Sequence, residues 1–237
     1  MSELEEPHNQ LVDDATLPGA GLARQALVAA TFAPSAMLLV WLLLSFVGAN
    51  GLAGLDLSAT SFMRLADAPV EVAAQTWFDG AIRDITALGS NTVLIAVTLF
   101  TVALLAWTGR HGPALLLGWS AAASFLINTF LKLLTGRVRP DVLASSVVVE
   151  TSSFPSGHAM HASVIYMLIA AIVVREIEDR RVATLILATA GALVMAVGLS
   201  RIYLGAHWTS DVLAGWAIGG ALALGGWLMA RSPRPPS

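Results

Sequence analysis

Long apolar runs broken by short polar stretches dominate the chain. Six of them approach or exceed the roughly 20 apolar residues that a helix needs to cross a bilayer: about 25–48, 89–108, 113–134, 157–175, 182–199 and 211–230. Lipid offers no partner to backbone N–H and C=O groups, so each run is expected as a helix. The pattern predicts an all-α integral membrane bundle of six transmembrane helices, with a kink at Pro34 in the first. The third and fourth runs are less clean at one end, where each stops at polar residues. The connection over 49–88 breaks the rhythm, because it is too long for a turn and mixes Phe62, Leu65, Trp77, Phe78, Ile82 and Ile85 with charges. Short amphipathic helices at the outer interface account for that mixture; an irregular connector is the alternative. Within it, Asp79 and Arg83 have the spacing of an i,i+4 pair.

Residues 1–24 form an expected flexible tail carrying Glu3, Glu5, Glu6, Asp13 and Asp14. With only Arg24 ahead of the first apolar run, that run reads as a retained anchor and not as a cleaved signal. The membrane domain is expected over 25–230, with 49–88 as an outer interfacial connection, followed by a flexible tail over 231–237. Gly215 and Gly219 form a GxxxG pair in the last run, a signature of close helix packing. Trp107, Trp208 and Trp227 lie near predicted helix ends, as an aromatic belt would place them. No internal repeat is present.

Composition strengthens the membrane reading. Apolar residues make up 56% of the 237, charged residues 12%, and the mean hydropathy is +0.73; a water-soluble domain carries about 25% charged residues. The net charge of −3 and the lack of a basic face argue against a nucleic-acid partner. The absence of cysteine excludes disulfides, a thiolate nucleophile and thiolate metal sites. With both termini in the cytoplasm, seven of the 13 Lys and Arg residues fall inside and six outside. That bias sharpens if Lys132, Arg139 and Arg201 are reserved for chemistry.

Three polar stretches interrupt the membrane pattern: "KLLTGRVRP" from Lys132 to Pro140, "FPSGH" from Phe154 to His158, and "SRIYLGAHWTSD" from Ser200 to Asp211. From Lys132 to His158 the chain never crosses the bilayer, and from His158 to Arg201 it crosses twice. All three therefore share one face of the membrane. Lys132, Arg139 and Arg201 suit a multiply charged oxyanion, the arginines through paired planar donors and the lysine as a point charge. Pro155-Ser156-Gly157 opens a helix, offering backbone N–H groups, the positive dipole end, a hydroxyl and a close backbone approach. His207 and Asp211 are four apart, so the carboxylate can keep one ring nitrogen protonated and leave the other free to attack. His158 supplies a second imidazole. A phosphate group fits this set, because phosphoryl transfer needs mainly positioning and charge stabilisation.

In this order, K-x6-RP, PSGH and SR-x5-H-x3-D resemble the three signatures of the type 2 phosphatidic acid phosphatase superfamily. The similarity runs over roughly 90–230 and is to its six-helix bacterial membrane branch, which includes phosphatidylglycerophosphate and undecaprenyl pyrophosphate phosphatases. The resemblance implies that His207 is the nucleophile forming a phosphohistidine and that Asp211 orients it. It implies that His158 protonates the leaving oxygen and then helps activate water. It assigns Lys132, Arg139, Ser156, Gly157 and Arg201 to the phosphate, and it implies no metal and no cofactor. The implied protein is a lipid phosphate phosphatase of the bacterial inner membrane, with its active site on the periplasmic face. Its partners are the bilayer and a lipid phosphate substrate (phosphatidic acid, phosphatidylglycerophosphate or a prenyl pyrophosphate), with no obligate protein partner. The alternative is a lipid phosphotransferase that passes the same phosphoryl group to a lipid acceptor.

Blander readings exist for single residues. Lys132, Arg139 and Arg201 resemble snorkelling anchors when taken alone. Asp211 serves equally as an N-terminal helix acid. His161, one turn past His158, is expected as a packed histidine, Asp141 as a cap or a partner of Arg137, and Glu150 as a solvated loop acid. "REIEDRR" over 175–181 is expected as a solvated inner turn. A transporter would place ionisable groups in mid-span; here the notable charges gather near one end of their helices.

Overall fold

The structure, a computed structural model, describes residue 56 and residues 72–140 and 152–229. It is all-helical, with no strand among the described residues. The helices are α1 (Val72–Ala87), α2 (Asn91–Trp107), α3 (His111–Thr135), α4 (Gly157–Val174), α5 (Arg180–Tyr203) and α6 (Thr209–Met229). The crossing predicted over 25–48, its Pro34, both tails, Asp141 and Glu150 lie outside the described residues.

Helices α3 to α6 are each long and apolar enough to cross a membrane. Helix α2 falls on the second predicted crossing. At 17 residues α2 sits at the short end of the range of roughly 17–25 for a crossing, and it joins α1 at a bend of 45° across the break between Ala87 and Asn91. The end of the 49–88 connection is a 16-residue helix, less apolar and more one-sided in its hydrophobicity than the helix that follows. Within α1, Asp79 accepts a hydrogen bond from Tyr203 Oη at 2.9 Å, an inter-helix contact that the i,i+4 spacing with Arg83 did not foretell.

Local chemistry sets the helix limits. Ser90 caps α2 by accepting from Val93 N, and Asp179 caps α5 by accepting from Arg181 N. Gly136 ends α3 in the left-handed conformation (φ 55°), which costs glycine nothing and turns the chain back over the bundle end. The turns after α2 and α4 are tied together by the ion pair Arg110–Glu176 at 3.1 Å, half-exposed on both sides. They therefore share the end of the bundle opposite the three motifs, and the charged 175–181 segment is indeed an exposed turn.

Helix α4 is the centre. Its Val164, Leu168 and Ile172 pack with Leu105, Leu117 and Ala223; Ile165 with Leu94 and Ala121; Met160 with Leu131 and Ile218; and Ala162 with Val194 and Val197. Every neighbouring helix thus docks on α4. The GxxxG pair makes the closest of these contacts. A Cβ on Gly215 would lie 2.8 Å from Ser156 O, and one on Gly219 would strike Met160 O and lie 2.7 Å from Ser163 Cβ. Gly220, the next residue, faces open space. Opposite outcomes are expected from the same substitution at adjacent positions. Gly→Ala gains about 1 kcal/mol of helix propensity, whereas overpacking against backbone costs about 1–3 kcal/mol. Gly219→Ala should therefore lower the thermal midpoint in detergent, and Gly220→Ala should leave it unchanged or raise it.

Candidate active site

The three motifs converge at one end of the bundle, as their shared face requires. Lys132 is in the last turn of α3 and Arg201 in the last turn of α5. Gly157 and His158 open α4, and His207 precedes α6, whose first turn carries Asp211. Arg139 follows the Gly136 turn. The segment returning to α4 is held by Ser153 N donating to Arg137 O at 2.8 Å and by Ser156 N donating to Asp211 O at 3.0 Å.

His207 is nearly enclosed, at 4% exposure, and Asp211 is fully enclosed. One turn of α6 brings His207 Nδ1 to 3.6 Å from Asp211 Oδ2, the predicted i,i+4 approach. The other ring nitrogen, Nε2, lies 3.3 Å from Arg139 Nη1. A guanidinium only donates, so Nε2 is the acceptor and its lone pair is free of a proton. The ring proton therefore sits on Nδ1, toward Asp211. Burial drives the pKa of His207 down to about 4, against the opposing pull of Asp211. At neutral pH the ring is uncharged and Nε2 carries a usable lone pair.

The cations surround that lone pair. Arg139 Nη1 also donates to Ala206 O at 2.8 Å. Lys132 Nζ donates to Ser152 O at 2.9 Å and lies within electrostatic reach of Arg139, Arg201 and Asp211. Arg201 Nη1 donates to Thr86 Oγ1 of α1 at 3.1 Å. His158 is within reach of Arg201, His207 and Lys132, and its ring lies against Gly89, where a Cβ would be 3.3 Å from Cδ2. Two side-chain atoms of the predicted cradle, Ser156 Oγ and Arg201 Nε, are buried without a hydrogen-bond partner in the protein. Burying such donors unsatisfied costs about 1–3 kcal/mol each, which a bound oxyanion would offset. One expected donor is absent from the set, since Ser156 N is taken by Asp211 O. All eight predicted site residues thus lie at this end. His161 is buried and packed, its Nδ1 3.0 Å from Ser124 Oγ and its ring 4.0 Å from that of Phe125, while its Nε2 lies against Gly157 and the ring is within electrostatic reach of Lys132.

Several residues escaped the motifs. Ser153, fully buried, donates to Asp211 Oδ2 at 2.5 Å and approaches His207 Nδ1 at 3.5 Å. Trp208 N donates to the same carboxylate oxygen at 2.9 Å. Arg137 pairs with Asp211 Oδ1 at 2.6 Å and with Asp56 Oδ2 at 2.8 Å. Asn128 Nδ2 donates to Pro155 O at 3.3 Å and fixes the entry to α4. Arg137 lies two residues from Arg139 inside the first motif, so a closer reading of that motif could have raised it. Nothing local marks Asp56.

A family model described as the PAP2 superfamily matches residues 113–234, all three motifs included. The chain is 32% identical to phosphatidylglycerophosphatase B of Bacillus subtilis over 168 residues, 68% of this chain and 81% of that protein. The chain belongs to the PAP2 superfamily. A second PAP2-type relative by sequence is the lipid A 1-phosphatase of Rhizobium etli, 29% identical over 68% of this chain and 76% of that protein. The crystal structure of the transmembrane PAP2 type phosphatidylglycerolphosphate phosphatase of Bacillus subtilis superposes with a TM-score of 0.69 at 28% identity, covering 80% of this chain and 91% of that one. The PAP2 resemblance read from the motifs is therefore correct. The protein is an integral membrane enzyme of the phosphoric ester hydrolase class.

The depressed pKa of His207 makes a prediction for stability. The folded ring stays neutral down to about pH 4, whereas an unfolded histidine charges near pH 6.5. Between those values the unfolded state binds the extra proton, so this group's contribution to stability is full above pH 6.5 and is lost as pH falls toward 4. The thermal midpoint of the wild type should drop more steeply over that window than that of His207→Gln. Equal slopes would show that His207 titrates normally.

Proposed function

We propose that this PAP2 enzyme removes a terminal phosphate from a membrane lipid through a phosphohistidine on His207, without a metal. The observation that carries this reading is the state of the His207 ring: Nε2 accepts from Arg139 while Nδ1 faces Asp211, so the nucleophilic lone pair points into the cationic cradle. Arg139 shifts its bond from Nε2 to a phosphate oxygen when substrate enters. Lys132, Arg201, Ser156 Oγ and the Gly157 backbone hold the remaining oxygens. Nε2 then attacks phosphorus, forming a P–N bond as the P–O bond to the lipid breaks, and His158 gives a proton to the departing oxygen. In the second half, His158 takes a proton from water as its oxygen attacks phosphorus. The P–N bond breaks, and inorganic phosphate leaves with His207 restored. Asp211 stabilises the charge that the ring acquires.

The substrate class follows from the setting. The cradle lies at the ends of membrane-length helices, where a lipid headgroup meets it while the tail stays in the bilayer. The relatives named for phosphatidylglycerophosphate and lipid A support a terminal phosphate group on a long apolar anchor. Phosphatidic acid, phosphatidylglycerophosphate and prenyl pyrophosphates all satisfy that description. The charge pattern supports cytoplasmic termini, a periplasmic active site and residence in the bacterial inner membrane.

Rapid quench into alkaline detergent during turnover of lipid labelled in its terminal phosphate tests the route. Label should appear on the protein in an alkali-stable, acid-labile form, at His207, with a chelator present throughout. Turnover with no label on the protein, or turnover abolished by the chelator, would overturn the proposal. Label appearing on a second lipid in place of inorganic phosphate would establish the phosphotransferase instead.

A further inference from the structure

Arg137 belongs to the first motif by position but not to the cradle by geometry. Nη1 donates to Asp211 Oδ1 at 2.6 Å and to Ser210 Oγ at 2.7 Å, and Nη2 donates to Asp56 Oδ2 at 2.8 Å. Both terminal nitrogens are thus directed at the acidic side of the site. Asp56 in turn accepts from Ser210 N at 2.9 Å and from Ser210 Oγ at 2.8 Å. Asp56, Ser210 and Asp211 are 2%, 1% and 0% exposed and the Arg137 side chain 23%, so the acidic side of the network is enclosed and every named polar atom is engaged. The guanidinium also lies 5.8 Å from the centroid of the Trp208 ring, which limits its movement from the side.

The network fixes the orientation of one carboxylate. Asp211 Oδ1 is held by Arg137, and Oδ2 by Ser153 Oγ and Trp208 N. With both oxygens pinned, Oδ2 faces His207 Nδ1 and the ring cannot turn its proton elsewhere without breaking bonds in a buried site. A guanidinium spans Asp211 and Asp56 together because its two terminal nitrogens form a rigid fork; an ammonium does not. Asp56 lies in the 49–88 connection, 81 positions from Arg137 and 154 from Ser210, and outside the stretch that matches the family model.

We propose that Arg137 and Asp56 are positioning residues of the phosphatase reaction: Asp56 anchors Arg137, Arg137 locks Asp211, and Asp211 keeps His207 in the attacking tautomer. The proposal rests on the reading of His207 as the nucleophile. It gives the 49–88 connection a role in turnover, because that connection delivers the outermost member of the relay.

The test uses the full chain in detergent with phosphatidic acid in mixed micelles, and inorganic orthovanadate as a probe of the cradle. Arg137→Met should lower kcat about 100-fold while KM and the vanadate inhibition constant stay within about threefold, since the cradle cations are untouched. Arg137→Lys, which keeps the charge but not the fork, should recover at most about tenfold of that loss. Asp56→Asn should lower kcat about tenfold, and the double variant Asp56→Asn/Arg137→Met should be no worse than Arg137→Met, because both act along one path. A kcat within about threefold of wild type in both Arg137 variants would overturn the proposal. A vanadate constant raised tenfold or more would overturn it too, by making Arg137 a phosphate ligand, as would losses that multiply in the double variant. Should Arg137→Met fail to give a folded protein by thermal melt, Arg137→Lys and Asp56→Asn carry the same decision. His207→Ala separates the two levels. If it turns over at the wild-type rate, the underlying reading fails. If it is inactive while the Arg137 variants are fully active, only the positioning role fails.

Discussion

His207→Ala is expected to lower kcat for phosphate release by about four orders of magnitude or more, the range seen when a nucleophile that acts with its partners as a unit is removed. No other imidazole can substitute. His158 comes from a different helix and is proposed to serve the leaving group, and His161 is enclosed between Ser124 and Phe125. The fold should survive, because a neutral ring at 4% exposure is replaced by a smaller apolar side chain. The cradle should survive as well, so orthovanadate should still bind. Phosphate release and the vanadate constant measured together are the check. Release above about one per cent of wild type would place the nucleophile elsewhere.

Asp211→Asn is expected to be nearly as damaging to kcat, by about 10³- to 10⁴-fold, with KM little changed. The neutral amide is similar in shape but cannot stabilise the imidazolium. It also sets an NH2 group among Arg137, Ser153 and Trp208 N, all of which donate to the carboxylate. Stability should fall too. Breaking a buried ion pair from one side costs about 3–5 kcal/mol, and the low end is expected here because Arg137 keeps Asp56. The measurements are steady-state kinetics and a thermal melt of the same preparation. An unaltered kcat would remove Asp211 from the mechanism, and an unaltered midpoint would show that the Arg137 pair contributes little to stability.

The GxxxG pair was readable because its physics is local. Gly215 and Gly219 lie one turn apart on a single face, and close packing follows whatever the partner helix turns out to be. His207 and Asp211 were readable for the same reason, since one helical turn sets their approach. What the second crossing did not disclose is the bend before it, because hydropathy reports how apolar a run is but not where its axis bends. The break at Leu88–Ser90 separates α1 from α2. Asp79 accepts from Tyr203, a contact between helices that the spacing of Asp79 and Arg83 along one helix does not encode.

The sequence by itself determined the helical class, the membrane setting and the common face of the three motifs. Each of these follows from hydropathy over one segment or from the parity of crossings, neither of which depends on how helices pack. Only the tertiary structure decided what holds Asp211. Arg137 is 74 positions from it and Asp56 contacts Ser210 across 154 positions, and no periodicity in a chain encodes a contact over such distances. It also decided that Ser156 N is spent on Asp211 O while Ser156 Oγ and Arg201 Nε are buried without a partner in the protein, because hydrogen-bond satisfaction is settled by which groups meet once the helices have packed.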